Sequence, residues 1–207
     1  MHDLIAWLVD FFETMGYPGI FLLMAMEGSI FPMPSELVIP RAGYLAHQGE
    51  MNLPAVIVTG TAGSLAGAYL NYFASRHLGR PLLLRYGRFF FISEKRFARA
   101  ERFFLEHGEI STFIGRLLPV VRHLISVPAG LSGMNHWKFS LYTLLGSGLW
   151  VTILAGLGYW IGEEEELLVR YSREALVVVA VFCVLLTAIY VWRHRRRRSA
   201  GAKLKEL

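Results

Sequence analysis

Charged side chains are scarce in this chain. Asp, Glu, Lys and Arg account for 18% of the 207 residues, whereas hydrophobic residues account for 54%. A soluble domain carries about 25% charged residues, because its surface has to face water. The scarcity excludes an ordinary soluble domain and indicates an all-α polytopic membrane protein, with a single membrane domain over residues 1–195.

Cysteine is almost absent, and so is any pattern of metal ligands. The single cysteine, Cys183, lies in an apolar run, so no disulfide bond can form within the chain. The acidic stretch GEEEE at 162–166 lacks the spaced oxygen ligands of a calcium site and is interpreted as a solvated loop. We therefore expect neither a metal nor a cofactor.

Three long runs of the chain contain no charged residue. A helix needs about 20 apolar residues to cross the hydrocarbon core of a bilayer. The runs therefore predict transmembrane helices over residues 51–78, 138–162 and 174–192.

Positive charge is concentrated in the tail 193–207, RHRRRRSAGAKLKEL, directly after the last predicted helix. Basic residues next to a transmembrane helix favour the cytoplasmic side, so we predict a basic cytoplasmic tail. Nucleic-acid binding is an alternative role for such a tail, but contact with an anionic membrane surface is the simpler explanation. We expect no nucleic-acid partner.

An amphipathic helix is predicted over residues 93–108, SEKRFARAERFFLEHG. Its apolar side chains fall on one stripe, with charges elsewhere and Gly108 as the stop signal. The stripe consists of Phe97, Ala100, Phe103 and Phe104. The helix lies either at the cytoplasmic membrane interface or against the rest of the protein, and the sequence favours the two equally.

Prolines and charges interrupt the two remaining apolar segments, 15–50 and 110–136. The interrupting residues are Glu27, Pro32, Pro34 and Glu36 in the first segment, and Arg116, Pro119, Arg122 and Pro128 in the second. In one continuous helix, Glu27 and Glu36 would lie on opposite faces. Because proline breaks helices, we predict that each segment folds back as a re-entrant hairpin. Non-helical backbone at membrane depth has to line a polar cavity or be buried in protein, so both hairpins are predicted to enter one cavity.

The two halves of the chain also resemble each other. GSLAGAYLNYFASRHLG at 63–79 and GSGLWVTILAGLGYWIG at 146–162 have equal length, and each follows one of the broken segments. The predicted orientations of the two helices are opposite. The sequence therefore predicts an inverted repeat, in which each re-entrant hairpin is followed by a transmembrane helix, as in secondary transporters.

Four groups of residues carry a resemblance to a known family. They are Glu27, Pro32, Pro34 and Glu36 in EGSIFPMPSE; Gly60, Gly63, Gly67, Tyr72 and Gly79 in GTAGSLAGAYLNYFASRHLG; Phe113, Arg116, Pro119 and Arg122 in FIGRLLPVVR; and Gly130, Gly133 and Met134 in GLSGM. In order and spacing they resemble the DedA family, the bacterial branch of the SNARE-associated or VTT domain superfamily. The resemblance covers roughly residues 15–165.

The resemblance implies a function and a set of site residues. Family members are lipid transporters of the cytoplasmic membrane, including flippases for undecaprenyl phosphate and phosphatidylethanolamine, and some depend on the proton-motive force. Their essential acids match Glu27 and Glu36, and their essential arginines match Arg116 and Arg122. Some relatives place Asp at the second acidic position, after a longer spacer. We thus expect a multi-pass protein of the bacterial inner membrane, with its C-terminus in the cytoplasm.

The chemistry of these residue types agrees with a phosphate-bearing lipid as substrate. An Arg guanidinium matches phosphate oxygens with two parallel hydrogen bonds, so Arg116 and Arg122 are the predicted substrate ligands. Glu27 and Glu36 are the predicted proton carriers, because intramembrane acids are functional by default. Arg41 either assists with phosphate or extends to the interface. Pro32, Pro34, Pro119 and Gly130 are predicted to shape the hairpins.

Other functions stay open at this point. Glu27 and Glu36 can also form buried ion pairs with the two arginines that only pin the hairpins together. A membrane-bound lipid phosphatase is an alternative, although the sequence holds no complete catalytic set. A structural membrane protein without transport is another, and the sequence leaves open whether copies associate into a homo-oligomer.

Overall fold

The structure is a computed structural model that describes residues 15–29, 35–79 and 94–161, together with single positions between 171 and 185. All secondary structure in these ranges is helical. The helices are α1 (Tyr17–Gly28), α2 (Ser35–His47), α3 (Leu53–Ala74), α4 (Glu94–Leu117), α5 (Pro119–Leu124), α6 (Ser126–Leu131) and α7 (His136–Ile161). An all-helical membrane protein is therefore confirmed at this coarse level.

Two of the described helices are long and apolar enough to cross a membrane. One is α3 with the π-helical turn that continues it, Leu53–Gly79, with a mean hydropathy of 1.4, and the other is α7, with 1.5. At 1.5 Å per residue each is about 40 Å long, which exceeds the roughly 30 Å of the hydrocarbon core. They coincide with two of the predicted spans. Most of the third predicted span, 174–192, and the tail 193–207 lie outside the described residues.

The first broken segment contains two helices with different packing partners. Helix α1 ends at Gly28 and packs on α3, whereas α2 begins at Ser35 and packs mainly on α7. Pro32 and Pro34 lie outside the described residues, so their part in the hairpin stays a prediction. The end of α1 and the start of α2 lie on either side of the stretch where the sequence places its helix breakers.

The predicted helix end at Gly108 is wrong. Helix α4 continues through Gly108 to Leu117, so the predicted amphipathic helix and the start of the second segment form one element. Gly108 leaves room for the Phe104 ring one turn earlier in the same helix, because a Cβ there would lie 2.9 Å from that ring. Helix α4 packs along α7, and Phe104 is buried in that contact region.

The second segment breaks where its prolines predict. Leu118 has extended backbone, and Pro119 begins α5 at a position where a helix does not need the missing N–H. Helix α6 follows after Ile125, and Gly133, with a φ of 65°, turns the chain into α7. Gly130 packs so closely on α3 that a Cβ would overlap the carbonyl oxygen of Tyr72.

The packing of the two halves is reciprocal. Within each half one helix packs on the long helix that follows, α1 on α3 and α4 on α7. Across the halves, α2 packs on α7 and α6 on α3. Where α3 and α7 meet, Ser64 donates to the hydroxyl of Ser147 over 3.2 Å, and these serines occupy matching positions of the two similar segments. Such an arrangement is compatible with the predicted inverted repeat.

Candidate binding site

Four charged residues from the two broken segments lie at helix ends. Glu27 is in the last turn of α1 and Glu36 in the first turn of α2, whereas Arg116 is in the last turn of α4 and Arg122 in α5. Each charge therefore stands next to a break in the helix. The breaks let residues far apart in sequence meet, which continuous helices would prevent.

Arg122 binds both carboxylates through a single nitrogen. Its Nη2 forms an ion pair with Oε1 of Glu27 and lies 3.2 Å from Oε1 of Glu36. The same nitrogen donates to the hydroxyl of Ser35 over 2.8 Å. The side chains of Arg122 and Glu27 are 8% and 4% exposed, but that of Glu36 is 31% exposed. One carboxylate of the pair is thus sealed from solvent, and the other is accessible.

Arg116 has no carboxylate partner. It is 3% exposed, and its Nη2 donates to the hydroxyl of Ser126 over 2.7 Å. Its Nε has no hydrogen-bond partner. Among the residues that the structure describes, no carboxylate lies within 4.0 Å of its guanidinium group. The two acids are therefore not shared between the two arginines, and the simple picture of two matched ion pairs does not hold.

Hydrogen bonds fix the backbone beside these charges. His123 Nδ1 lies 2.9 Å from the carbonyl oxygen of Glu27, which joins α5 to the end of α1. Asn71 of α3 donates to the carbonyl oxygen of Gly28 over 3.1 Å and to that of His123 over 3.4 Å. Carbonyl groups at helix ends lack partners within the helix, so Asn71 satisfies two of them. His123 and Asn71 therefore hold the backbone next to the charged residues in place.

The charges surround a small cavity. It has a volume of about 10 Å³, which is room for about one water molecule. Glu27, Arg116, Arg122 and Trp150 line it together with Ser147. The Trp150 ring lies 5.4 Å from the guanidinium carbon of Arg122, within the range of a cation–π contact. In this conformation the cavity is too small for a phosphate group.

Arg41 and Gly130 do not line the cavity. Arg41 is partly buried in α2, directly after Pro40. Pro119 begins α5, and Gly130 provides the close contact of α6 with α3. Both positions are consistent with the structural part that the sequence predicts for them.

Sequence reasoning missed several polar partners. They are Ser35, Ser126, Ser147 and Trp150. Ser35 directly precedes Glu36, and Ser147 matches Ser64 in the similar segments, so two of them had a sequence signal. Ser126 and Trp150 had none, because their proximity to the arginines depends on how α6 and α7 pack.

A larger groove runs along α4 and the beginning of α7. It has a volume of about 700 Å³, and Glu109, Lys138 and Tyr142 line part of it. The Lys138 amine lies 2.5 Å from Glu109, and the Tyr142 hydroxyl donates to the same carboxylate over 2.9 Å. These donors hold the pKa of Glu109 below its usual value. The groove is large enough for a headgroup, whereas the inner cavity is not.

Comparison with known proteins identifies relatives over almost the full chain. The family described as the VTT domain matches residues 33–160. The chain is 32% identical over 98% of its length to the "Uncharacterized membrane protein YkoX" of Bacillus subtilis (strain 168), covering 90% of that protein. It is 29% identical over 92% of its length to the "Undecaprenyl phosphate transporter A" of the same organism, covering 94%.

A third relative carries a different kind of name. The "Alkaline phosphatase-like protein" of Lactococcus lactis subsp. lactis (strain IL1403) is 29% identical over 89% of the chain, which covers 90% of that protein. No solved structure matches the chain.

Proposed function

The chain belongs to the VTT domain family, also known as DedA, and from this premise we propose that it carries a phosphate-bearing lipid across the cytoplasmic membrane of a bacterium. Two relatives named "Undecaprenyl phosphate transporter A", from Bacillus subtilis and Staphylococcus aureus, support this proposal. In our proposal the protein is multi-pass, its C-terminus is cytoplasmic, and re-entrant hairpins bring the charged residues to membrane depth.

The observation that carries the proposal is the unpaired, buried guanidinium of Arg116. Among the described residues no carboxylate lies within 4.0 Å of this guanidinium group, and Glu27, which lines the same cavity, is paired with Arg122. A buried charge without an ion pair is costly, so the group calls for a closer anion. A phosphate group would neutralise the charge of the guanidinium group, and its oxygens can accept two parallel hydrogen bonds from it. Ser126 binds Nη2 of the guanidinium group, and Nε, which has no hydrogen-bond partner, is available to a phosphate oxygen.

In this proposal, binding of the lipid phosphate is coupled to uptake of a proton, because the charges of the buried cluster have to stay balanced. Glu27, Glu36, Arg116 and Arg122 together are formally neutral when all four are ionised. An added phosphate would leave the buried cluster negative unless one carboxylate took up a proton. Glu36 is the better candidate, because its side chain is more exposed than that of Glu27. Its protonation would also loosen its hold on Arg122, which could then join the phosphate.

The lipid we favour carries a phosphate monoester, such as undecaprenyl phosphate. Both carboxylates already bind Arg122, and the described site has three nitrogen donors without a hydrogen bond against one such oxygen, Oε1 of Glu27. A phosphatidylethanolamine headgroup would need an acceptor for its ammonium group, and Glu27 or Glu36 would have to leave Arg122 to provide one. Phosphatidylethanolamine is thus the second substrate candidate.

A lipid phosphatase is the second function. Ser126 favours it, because its hydroxyl lies 2.7 Å from Nη2 of Arg116, where an attacking oxygen would meet a bound phosphate. The name of the Lactococcus lactis relative points the same way. A nucleophilic serine also needs a base within hydrogen-bond reach, and no such contact of Ser126 is present among the described residues.

Transport and hydrolysis are separated by one experiment with purified protein in liposomes. We expect wild-type protein to move undecaprenyl phosphate between leaflets without releasing free phosphate, and to do so faster with a pH gradient. Arg116→Lys should abolish transport, because a lysine is a point donor and cannot reproduce the fork. Arg76→Lys is the matched control, since Arg76 is exposed and hydrogen-bonds to Tyr72.

Two results would overturn the proposal. Release of free phosphate at a rate that equals lipid disappearance would assign the site to a phosphatase. Full transport by Arg116→Lys would show that the guanidinium fork does not hold the headgroup.

A further inference from the structure

Three buried nitrogen donors at the inner cavity have no acceptor. They are Nε of Arg116, Nε of Arg122 and Nε1 of Trp150. Buried N–H groups are almost always hydrogen-bonded, because an unsatisfied donor loses its hydration without compensation. All three residues line the cavity that has room for about one water molecule. Oε1 of Glu27 lines the same cavity and also lacks a hydrogen bond, although it forms the ion pair with Arg122. Three such donors face one such acceptor, so the cavity calls for a further acceptor oxygen.

Trp150 brings an indole N–H to a place where a purely apolar side chain would suffice for packing. It is 2% exposed, and its ring lies against the guanidinium group of Arg122. A phenylalanine ring could make the same cation–π contact without burying an unsatisfied donor. Because buried tryptophan usually finds a partner for its N–H, the missing acceptor points to a ligand atom.

The matching position in the first half has a different role. Ser64 and Ser147 are 83 residues apart, and the same offset pairs Gly67 with Trp150. Gly67 allows α1 to approach α3, since a Cβ there would overlap the carbonyl oxygen of Ala25. In the second half the same place carries a large ring that reaches the charged residues. The indole is thus a feature of one half only and is not required by the helix crossing.

We propose that Trp150 is a third donor to the lipid phosphate, with Nε1 hydrogen-bonded to an ionised phosphate oxygen beside the guanidinium group of Arg116. This inference rests on the proposed function. An indole N–H only donates, as does a guanidinium group, so the contact selects an oxygen that accepts. In the absence of lipid the cavity has room for a water molecule at the same point.

The test compares phosphate binding by full-length variants in detergent. Trp150→Phe keeps an aromatic ring against Arg122 and removes the N–H, and Trp160→Phe is the control because Trp160 is 84% exposed. We expect Trp150→Phe to weaken binding of dodecyl phosphate about ten- to a hundredfold, as for a lost hydrogen bond to a charged group. The melting temperature without ligand should fall little, and Trp160→Phe should bind as wild type does.

A second variant tests whether the smaller ring of phenylalanine weakens binding through altered packing instead of through the lost N–H. Replacement of Trp150 by 3-benzothienylalanine keeps the bicyclic shape and exchanges the N–H for sulfur, so it should weaken binding as much as Trp150→Phe. Inorganic phosphate is the second probe. Equal weakening for both probes assigns the contact to the phosphate group itself, and weakening for dodecyl phosphate alone assigns it to the lipid-linked form.

The two proposals fail in different ways. Wild-type affinity in both Trp150 variants, with binding lost in Arg116→Lys, would overturn the role of Trp150 and leave the proposed function in place. Undiminished binding in Arg116→Lys as well would remove the proposed function with it.

Discussion

Arg116 and Arg122 differ in their electrostatic surroundings although only six residues separate them. Arg122 binds two carboxylates and a hydroxyl, whereas Arg116 binds one hydroxyl. A guanidinium group that already has two anions gains little from a third. We infer that Arg116 binds the phosphate first. Arg122 binds it only after one of its two carboxylate partners has dissociated from it.

The two acids should contribute unequally to stability. Glu27→Gln removes the buried carboxylate from Arg122, and we expect a loss of about 3–5 kcal/mol, as for breaking a buried ion pair. Glu36→Gln should cost about 1 kcal/mol or less, because the Glu36 side chain is partly exposed. Thermal unfolding of the purified variants in one detergent measures the difference. Equal losses would show that exposure does not separate the roles of the two acids.

The charged residues of the site were predictable from the sequence, but their pairing was not. Charged residues and prolines in apolar segments predicted that Glu27, Glu36, Arg116 and Arg122 belong to one cavity, and the structure brings Glu27, Arg116 and Arg122 to its wall. Glu27 and Glu36 both pair with Arg122 because the helix breaks bring their side chains close to it. Spacing along the chain holds no information on such distances.

At the scale of helices, glycines decide which elements pack together. Gly43, Gly67 and Gly130 each lie where a Cβ would overlap a carbonyl oxygen of another helix. Gly67 lies on α3 and is one of the glycines that carry the family resemblance. Gly108 was assigned to a helix end because glycine is common there. It lies inside α4 instead, next to the Phe104 ring one turn earlier in the same helix, and only its contact with Met134 depends on the tertiary fold.

Alanine at two glycines of the long helices should have opposite consequences. Gly67→Ala would push α1 away from α3, and we expect a cost of about 1–3 kcal/mol, as for an overpacked core. Gly156→Ala is the control, because no atom lies within 4 Å of a Cβ at that position. It should be neutral or stabilising by about 1 kcal/mol, since alanine favours helix over glycine. Chemical or thermal unfolding of both variants measures the effects, and a neutral Gly67→Ala would contradict the close packing of α1 on α3.

At the scale of the whole molecule, the described conformation is closed around the charges. The cavity at Arg116 has room for about one water molecule, and a groove with room for a headgroup runs along α4 and α7. Transport therefore requires the site to open. The reciprocal packing of the halves offers a route, because a shift of α6 against α3 can mirror a shift of α2 against α7.

The overall architecture was predictable to the level of helices and spans. Hydropathy predicted helices that coincide with α3 and α7, because long apolar runs reflect the thickness of the bilayer. The similar segments at 63–79 and 146–162 predicted an inverted repeat, and Ser64 meets Ser147 at matching positions. The packing of α2 on α7 and of α6 on α3 was beyond the sequence, because tertiary partners of short helices leave no periodic signal.

The central claim is that the guanidinium group of Arg116 holds the lipid phosphate, and a nitrogen–phosphorus distance tests it most directly. Solid-state NMR on protein with ¹⁵N-labelled arginine, in bilayers with undecaprenyl phosphate, detects the ³¹P nucleus when it is close to a guanidinium nitrogen. We expect a dipolar coupling that corresponds to about 4 Å, as for direct hydrogen bonds between guanidinium and phosphate, and its loss in Arg116→Lys. A coupling of the same strength in Arg116→Lys, or none in the wild type under saturating lipid, would contradict the account.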